Sequence, residues 1–201
     1  MKDKSCNTKL LLITIVFLLL FCVVGATTSA AQEWSRSGRI EFYGMVQNMD
    51  GDSTSGLGVM MKLDSTSVIG LGYGTNFGDH VNLNMDIWMG STSVTGEALG
   101  VTVQGDTSLL GLDFNLDINL LPHRFTPVVT GGLGFINFSG DIEGYPFGEV
   151  DLSYNYGAGF RWDATDHLLF KIIYRFTKTQ LEETDKAVML DGAMLSIGYI
   201  F

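Results

Sequence analysis

The sequence predicts an all-β protein, an eight-stranded antiparallel up-and-down transmembrane β-barrel with short periplasmic turns and longer extracellular loops. Three observations predict it. From Arg39 onward, apolar and polar residues alternate with a period of two, the signature of strands. The alternating segments run about 10 to 12 residues, the length a tilted membrane-spanning strand needs. The links between them alternate strictly between short and long, the asymmetry that a barrel inserted from one side of a membrane shows.

The predicted strands cover residues 39–47, 67–76, 80–90, 107–120, 125–138, 149–162, 167–177 and 188–201. In the fourth, Leu110, Leu112, Phe114, Leu116, Ile118 and Leu120 share one face, and Gly111, Asp113, Asn115, Asp117 and Asn119 the other. In the seventh, Leu168, Phe170, Ile172, Tyr174 and Phe176 oppose Lys171, Arg175 and Thr177. Alternation alone also fits a soluble sandwich or lipocalin with its apolar face inward. Two features reverse that assignment. The polar face mixes Gly with Asp, Asn, Arg and Lys, which suits a narrow lumen, and aromatic residues sit near the ends of the apolar faces (Tyr73 and Phe77, Phe160 and Trp162, Tyr199 and Phe201), as interfacial girdles do. The short links are Asn76–Asp79, Leu121–Arg124 and Asp163–Asp166; the long ones are Gln47–Thr66, Ser91–Asp106, Ser139–Gly148 and Lys178–Ala187. Gly56 to Leu63 is read as loop, or as an extension of its hairpin above the membrane, because an odd strand count would put the terminus on the wrong side.

Composition narrows the partners. The chain has 201 residues, 46% hydrophobic, with 25 Gly and a formal charge of −10. Nucleic acid is excluded as a partner, because phosphate binding needs surplus Lys and Arg. Residues 1–31 read as a cleaved signal peptide: Lys2, Lys4 and Lys9, an apolar run from Leu10 to Gly25, then small residues at Ser29 and Ala31. Residues 32–38 then form a periplasmic N-terminal segment, and 39–201 the barrel. Removing 1–31 leaves nine basic and twenty-one acidic residues and takes away both cysteines, Cys6 and Cys22, so no disulfide or thiolate metal site is expected.

The inward face carries the candidate functional residues. Alternation directs Glu41, Asp86, Asp113, Asp117, Glu149 and Asp151 inward with Arg39, Arg161, Lys171 and Arg175. An eight-stranded barrel is just wide enough for its side chains to fill, and an unpaired buried charge costs several kcal/mol, so this set is expected to pair into a salt-bridged plug. Thr130 and Gly132 are expected beside Asp113 and Asn115, leaving room for a basic side chain to cross. No catalytic, cofactor-binding or metal-binding residues are assigned. His80, His123 and His167 all fall at predicted turns and show neither ligand spacing nor a nucleophile–base arrangement. The glycine runs at Gly70–Gly74 and Gly131–Gly134 open no helix and read as relief of crowding inside curved strands. The loops are acidic, and Leu57, Val59, Met60, Met61, Val101 and Val103 offer a lining for a possible small hydrophobic ligand.

Four stretches then carry a resemblance: Trp34–Tyr43, Gly70–His80, Thr126–Gly134 and Tyr156–Asp163. In their order and spacing they resemble the small outer-membrane β-barrel superfamily of OmpW-like, OmpX-like and OmpA-type barrel domains, most closely its OmpW-like, porin-family branch. The resemblance covers nearly the whole of residues 32–201. It implies the outer membrane of a Gram-negative bacterium, contact with outer-membrane lipid and lipopolysaccharide, no enzymatic activity, and a structural or surface-interaction role, with passive entry of small hydrophobic molecules as the alternative and a lipid-modifying activity last. Tyr199 and Phe201 resemble the terminal signal read by the barrel-assembly machinery, with Ser196 where Gly is usual.

Overall fold

The computed structural model describes residues 34–201 apart from 52, 57–58, 99–100, 143–144 and 181–186, and describes only the backbone of 53–56, 59–63, 96–98, 101–103, 141–142, 145–147, 149, 180 and 187–188. The predicted signal segment therefore lies outside the described residues, and Ser35–Phe201 is one compact unit.

That unit is a closed antiparallel β-barrel of eight long strands: β1 (Ile40–Gly51), β4 (Thr66–Phe77), β5 (Val81–Ala98), β6 (Val101–Asn119), β7 (Phe125–Ile142), β8 (Tyr145–Asp163), β9 (Leu168–Gln180) and β10 (Ala187–Ile200). Each pairs with its neighbour in that order. The circle closes where β1 meets β10, from Glu41↔Ile200 to Gly51↔Leu190. Closure leaves no open edge along the spans, which a lipid solvent demands because nothing there can satisfy a free N–H or C=O.

The faces segregate as the period of two requires. Leu83, Met85, Ile87 and Met89 on β5 and Phe114, Leu116 and Ile118 on β6, with Leu120 just past its end, are exposed outside, while Asn82, Asn84, Asp86, Asp113, Asn115 and Asp117 between them are buried. The apolar face of β6 runs from Leu110 to Leu120; at about 3.3 Å per residue and a tilt near 40° it is about 25 Å tall, the thickness of a bilayer core. Aromatic rings ring the short-turn end: Phe42 packs edge-on against Tyr73 and Phe201, Trp162 stacks on Phe170, and Tyr199 stacks on His167.

Two predicted loops are strand instead. Ser91–Ala98 with Val101–Asp106, and Ser139–Ile142 with Tyr145–Gly148, continue the ladders of β5–β6 and β7–β8, whose registers run without a slip from Val81↔Ile118 to Ala98↔Val101 and from Phe125↔Trp162 to Ile142↔Tyr145. Beyond the apolar band the outward face turns polar too, with Ser91, Ser93, Asp106 and Ser108 exposed opposite buried Thr92 and Thr107, so the alternation that marks a strand in sequence fades while the backbone pairing persists. The segment at Gly56–Leu63 takes the second of its two expected forms. It belongs to a short hairpin, β2 (Ser53–Gly56) with β3 (Val59–Leu63), which extends the β1–β4 hairpin and pairs onto the far end of β5, Val59↔Ala98 to Leu63↔Val94.

Candidate functional site: the lumen and its N-terminal clasp

Small inward residues decide what can cross the interior. Gly72 lies under the Tyr43 ring and Gly111 under the Trp88 indole; a Cβ at either would fall 2.1 Å from Tyr43 Cε2 or 2.0 Å from Trp88 Cε2. Each large side chain therefore lies flat across its neighbouring strand because that neighbour offers no side chain. Asn115 and Asp113 use Gly132 and Gly134 of β7 in the same way, and Thr130 lies opposite Asp117. The neighbours of Asp113 are thus two positions further along β7 than the sequence suggested.

Into that space reach the charges. Lys171 Nζ on β9 lies 2.6 Å from Glu41 Oε1 on β1 and 3.2 Å from Asp117 Oδ2 on β6. It also sits 4.6 Å from the centre of the Tyr43 ring, a favourable place for a cation over an aromatic face. The other oxygen of Glu41 meets Arg161 Nη2 at 2.7 Å, and Arg161 Nε meets Asp163 Oδ1 at 2.9 Å. Further toward the hairpin end, Arg175 Nη2 lies 3.1 Å from Asp86 Oδ2 and Nη1 lies 3.5 Å from Asp113 Oδ2. Both carboxylates are held by neutral donors too: the Tyr43 hydroxyl and the Asn115 amide donate to Asp86 at 2.5 and 2.8 Å, and the Trp88 indole N–H donates to Asp113 at 2.8 Å. All of these side chains are essentially buried. The pairs span the interior from β8 and β9 to β1, β5 and β6, bracing opposite walls.

Of the ten inward residues expected from sequence, Glu41, Asp86, Asp113, Asp117, Asp151, Arg161, Lys171 and Arg175 are buried, and Glu41, Asp86, Asp113, Asp117, Arg161, Lys171 and Arg175 make the pairs just described. The Glu149 side chain lies outside the described residues. Arg39 is placed differently. It precedes β1, is half-exposed at the short-turn rim, and donates from Nη1 to the carbonyl of Asp166 at 3.0 Å. The chain turns just before it: Arg39 N–H donates to Arg36 C=O at 3.0 Å, with Gly38 at φ 74°, the third position of a type II turn.

That turn returns a residue that sequence reasoning left outside the barrel. Arg36, assigned to a periplasmic segment, is fully buried in the short-turn mouth. Its Nε meets Asp163 Oδ2 at 2.6 Å, Nη1 donates to the carbonyls of Asp79 (3.2 Å) and Leu121 (3.4 Å), and Nη2 donates to the carbonyl of His123. One guanidinium thus ties the first two short turns to the end of β8. The signal was present in Arg36-Ser-Gly-Arg39: a Gly two places after an Arg can set φ > 0 and reverse the chain. Asp163, expected in a turn, instead ends β8 and bridges Arg36 to Arg161.

Asp79, in the turn after β4, anchors the clasp from below, accepting from the Arg36 backbone N–H at 2.7 Å and the Ser35 hydroxyl at 2.9 Å. Burial pushes its carboxyl up, but those hydrogen bonds and the charges of Arg36 and His80 outweigh it and hold it below the ordinary Asp range. A lowered carboxyl pKa contributes stability that is complete above the unfolded value, about 3.9, and fades as the pH falls through the folded one. The Arg36 amide resonance is accordingly expected to stay constant from pH 7 down to about 4 and to move only below that. A shift centred on the histidine range would contradict this anchor.

The interior is not polar throughout. Toward the hairpin end, Met45, Met49, Val68, Leu109, Ile136, Phe138, Leu190 and Met194 pack as one buried apolar cluster with Trp88. The apolar loop residues suggested for a ligand, Leu57, Val59, Met60, Met61, Val101 and Val103, lie outside the residues whose side chains are described.

A closed eight-stranded barrel with an apolar outer wall, aromatic rings at its rim and paired charges inside defines a transmembrane β-barrel protein. The chain belongs to the outer membrane protein β-barrel domain family, whose model matches residues 16–201. Among solved structures it is similar to the outer membrane protein OprG of Pseudomonas aeruginosa (18% identity, 82% of this chain and 96% of that one, TM-score 0.61). It is also similar to Ail, the attachment invasion locus protein of Yersinia pestis, in complex with the heparin analogue sucrose octasulfate (16%, 82% and 99%, TM-score 0.55). A third is the Neisserial surface protein A (12%, 82% and 98%, TM-score 0.52). No curated protein matches the chain.

Proposed function

We propose that the protein is a non-enzymatic barrel of a Gram-negative outer membrane, with a structural or surface-interaction role and a lumen blocked by its own side chains. The observation that carries this reading is the cross-lumen network. Lys171, Arg161 and Arg175 each bridge to acids on other strands, so a solute on the axis must break buried pairs, and removing one partner of such a pair costs about 3–5 kcal/mol. The faces left for partners are the lipid-facing wall and the tall hairpins. Asp50, Asp64, Asp106 and Asp191 stand among the residues beyond the apolar band, so the hairpins suit cationic or neutral partners, and a polyanion of the kind bound in the Ail structure is disfavoured. Export by residues 1–31 and assembly through Tyr199 and Phe201 belong to the same reading; Tyr199 and Phe201 face outward beside Phe42.

Planar-bilayer recording tests it. The intact protein is expected to show no sustained stepwise conductance; steady steps at neutral pH would refute the blocked lumen. A second reading, passage of small hydrophobic molecules, is favoured by the apolar cluster of Met45, Met49, Leu109 and Phe138 inside the hairpin end, which offers an oily solute a place that a wholly polar lumen would not.

A further inference from the structure

The outer wall is not equally tall all round. Its lower rim is level, because hydrogen bonds at the short turns hold neighbouring strand ends together: Asn119 N–H donates to the His80 carbonyl at 2.7 Å, Asp163 N–H to Arg124 at 2.8 Å and, where the circle closes, Phe201 N–H to Ile40 at 2.8 Å. The upper edge slopes. On β1, Ile40, Phe42 and Val46 are exposed outside, and the next outward residues are Asn48 and Asp50, also exposed. At about 3.3 Å per residue and a tilt near 40°, the apolar wall of β1 therefore ends about 15 Å above Ile40. On β7, opposite β1 in the barrel, no polar side chain faces outward from Phe125 to Phe135, a height of about 25 Å on the same geometry. β6 matches it from Leu120 to Leu110, and on β8 the aromatic and aliphatic run from Trp162 to Val150 reaches about 30 Å. The low side has polar neighbours on both flanks. Asp50 lies directly opposite Asp191 of β10 across the closing seam, and the Ser67 hydroxyl of β4 donates to Asn48 at 2.8 Å.

A flat hydrocarbon core about 25 Å thick fits β6 and β7, but beside β1 it would immerse Asn48 and bring the facing carboxylates of Asp50 and Asp191 to its very edge. Those groups resist losing water, and two like charges directly opposite each other disfavour any place that screens them poorly. A bilayer meets a short apolar wall by thinning, at a modest cost per ångström. Tilting the barrel gives no escape. The apolar band is a wedge, so any tilt that levels its upper edge tips the level lower rim. We propose that the β10–β1–β4 face is a distinct lipid-contact surface, beside which the outer leaflet thins by about 10 Å and its headgroups descend to Asn48, Asp50 and Asp191. The lipids that suit this face have short or disordered acyl chains, whereas β6, β7 and β8 suit full-length ones. The inference rests on the outer-membrane reading and adds which side of the wall selects which lipid.

The test uses a background with Cys6 and Cys22 replaced by Ser, which leaves no other thiol in the chain. Val46→Cys on β1 and Phe114→Cys on β6 each place one nitroxide on the outer wall about 15 Å above the short-turn rim. The labelled proteins are folded into dioleoylphosphatidylcholine vesicles and checked by heat-dependent gel mobility. Depth is read by power-saturation electron spin resonance, as collision with oxygen in the hydrocarbon against collision with a water-soluble nickel chelate. The Val46 label is expected to lie about 10 Å shallower than the Phe114 label, the height of apolar wall that stands above Phe114 and not above Val46. A difference of less than half that overturns the wedge. Adding Asn48→Leu, Asp50→Leu and Asp191→Leu extends the apolar wall at the seam, and the Val46 label is then expected to sink to the depth of Phe114; a label that does not move overturns the assignment to those side chains. Free access of the nickel chelate at both sites, with no preference for oxygen, would instead remove the outer-membrane reading itself, an outcome distinct from equal depths within lipid.

Discussion

Replacement of Glu41 by Gln is expected to destabilise the barrel by about 3–5 kcal/mol, the cost of leaving buried cations without their counter-charge. Glu41 is the point where two branches meet: one oxygen serves Lys171 at 2.6 Å and the other Arg161 at 2.7 Å, with the Asn76 amide at 3.4 Å as a further donor. Gln keeps the volume, so packing is unchanged and the effect is electrostatic. The loss falls on two buried cations, since Arg161 and Lys171 are 1% and 2% exposed. Urea unfolding in lipid vesicles, followed by tryptophan emission, measures it. The internal control is Asp166→Asn, which breaks an ion pair with Arg124 whose side chains are 58% and 40% exposed; a pair that wet is worth less than about 1 kcal/mol. Equal effects from the two substitutions would mean that the buried network does not brace the barrel.

The second large effect is steric. Gly111→Val is expected to cost about 3 kcal/mol or more, combining overpacking of about 1–3 kcal/mol with loss of a hydrogen bond to a charged group. The new Cβ would fall 2.0 Å from Trp88 Cε2, so the indole must swing away and the 2.8 Å bond from its N–H to Asp113 is lost. Besides the lowered unfolding midpoint, Trp88 emission should move to the red as the ring leaves its buried seat. Gly44→Val is the matched control. Gly44 meets nothing within 4 Å of a built Cβ and sits between the outward Phe42 and Val46 of β1, so its substitution is expected to change stability by less than about 0.5 kcal/mol. Similar losses at Gly111 and Gly44 would show that glycine matters here only for strand propensity.

What the sequence made legible follows from what alternation encodes. Within the apolar band, every inward and outward residue of β6 could be assigned from Leu110 to Asn119, because lipid on one side and a crowded polar interior on the other impose opposite chemistries at successive positions. The signal vanishes where that contrast does. Where Ser91–Ser93 and Asp106–Ser108 pair, both faces carry polar residues, so the pattern looks like loop although the ladder continues to Ala98↔Val101. The apolar cluster of Met45, Met49, Val68 and Leu109 was also hidden: these residues lie on the inward parity of their strands, but a rule of polar-inside treats them as exceptions. Side-chain reach was the third blind spot. Alternation says that Lys171 points inward; it cannot say that Lys171 chooses Glu41 and Asp117 across the interior. Arg36 was missed because a type II turn, not a strand, aims it.

The network is unevenly distributed along the chain. Glu41, Asp86, Asp113 and Asp117 come from β1, β5 and β6, whereas Arg161, Lys171 and Arg175 come from β8 and β9. A sheet built only as far as β6 would therefore carry these four acids without Arg161, Lys171 or Arg175, the cations that pair with them. Buried together, such acids repel one another; left wet, they keep that face hydrated and prevent it from collapsing early. The last strands bring the neutralising charges at the moment they close the circle. Half a barrel is then not half as stable as a whole one: the four acids find their cations only in a sheet that includes β8 and β9.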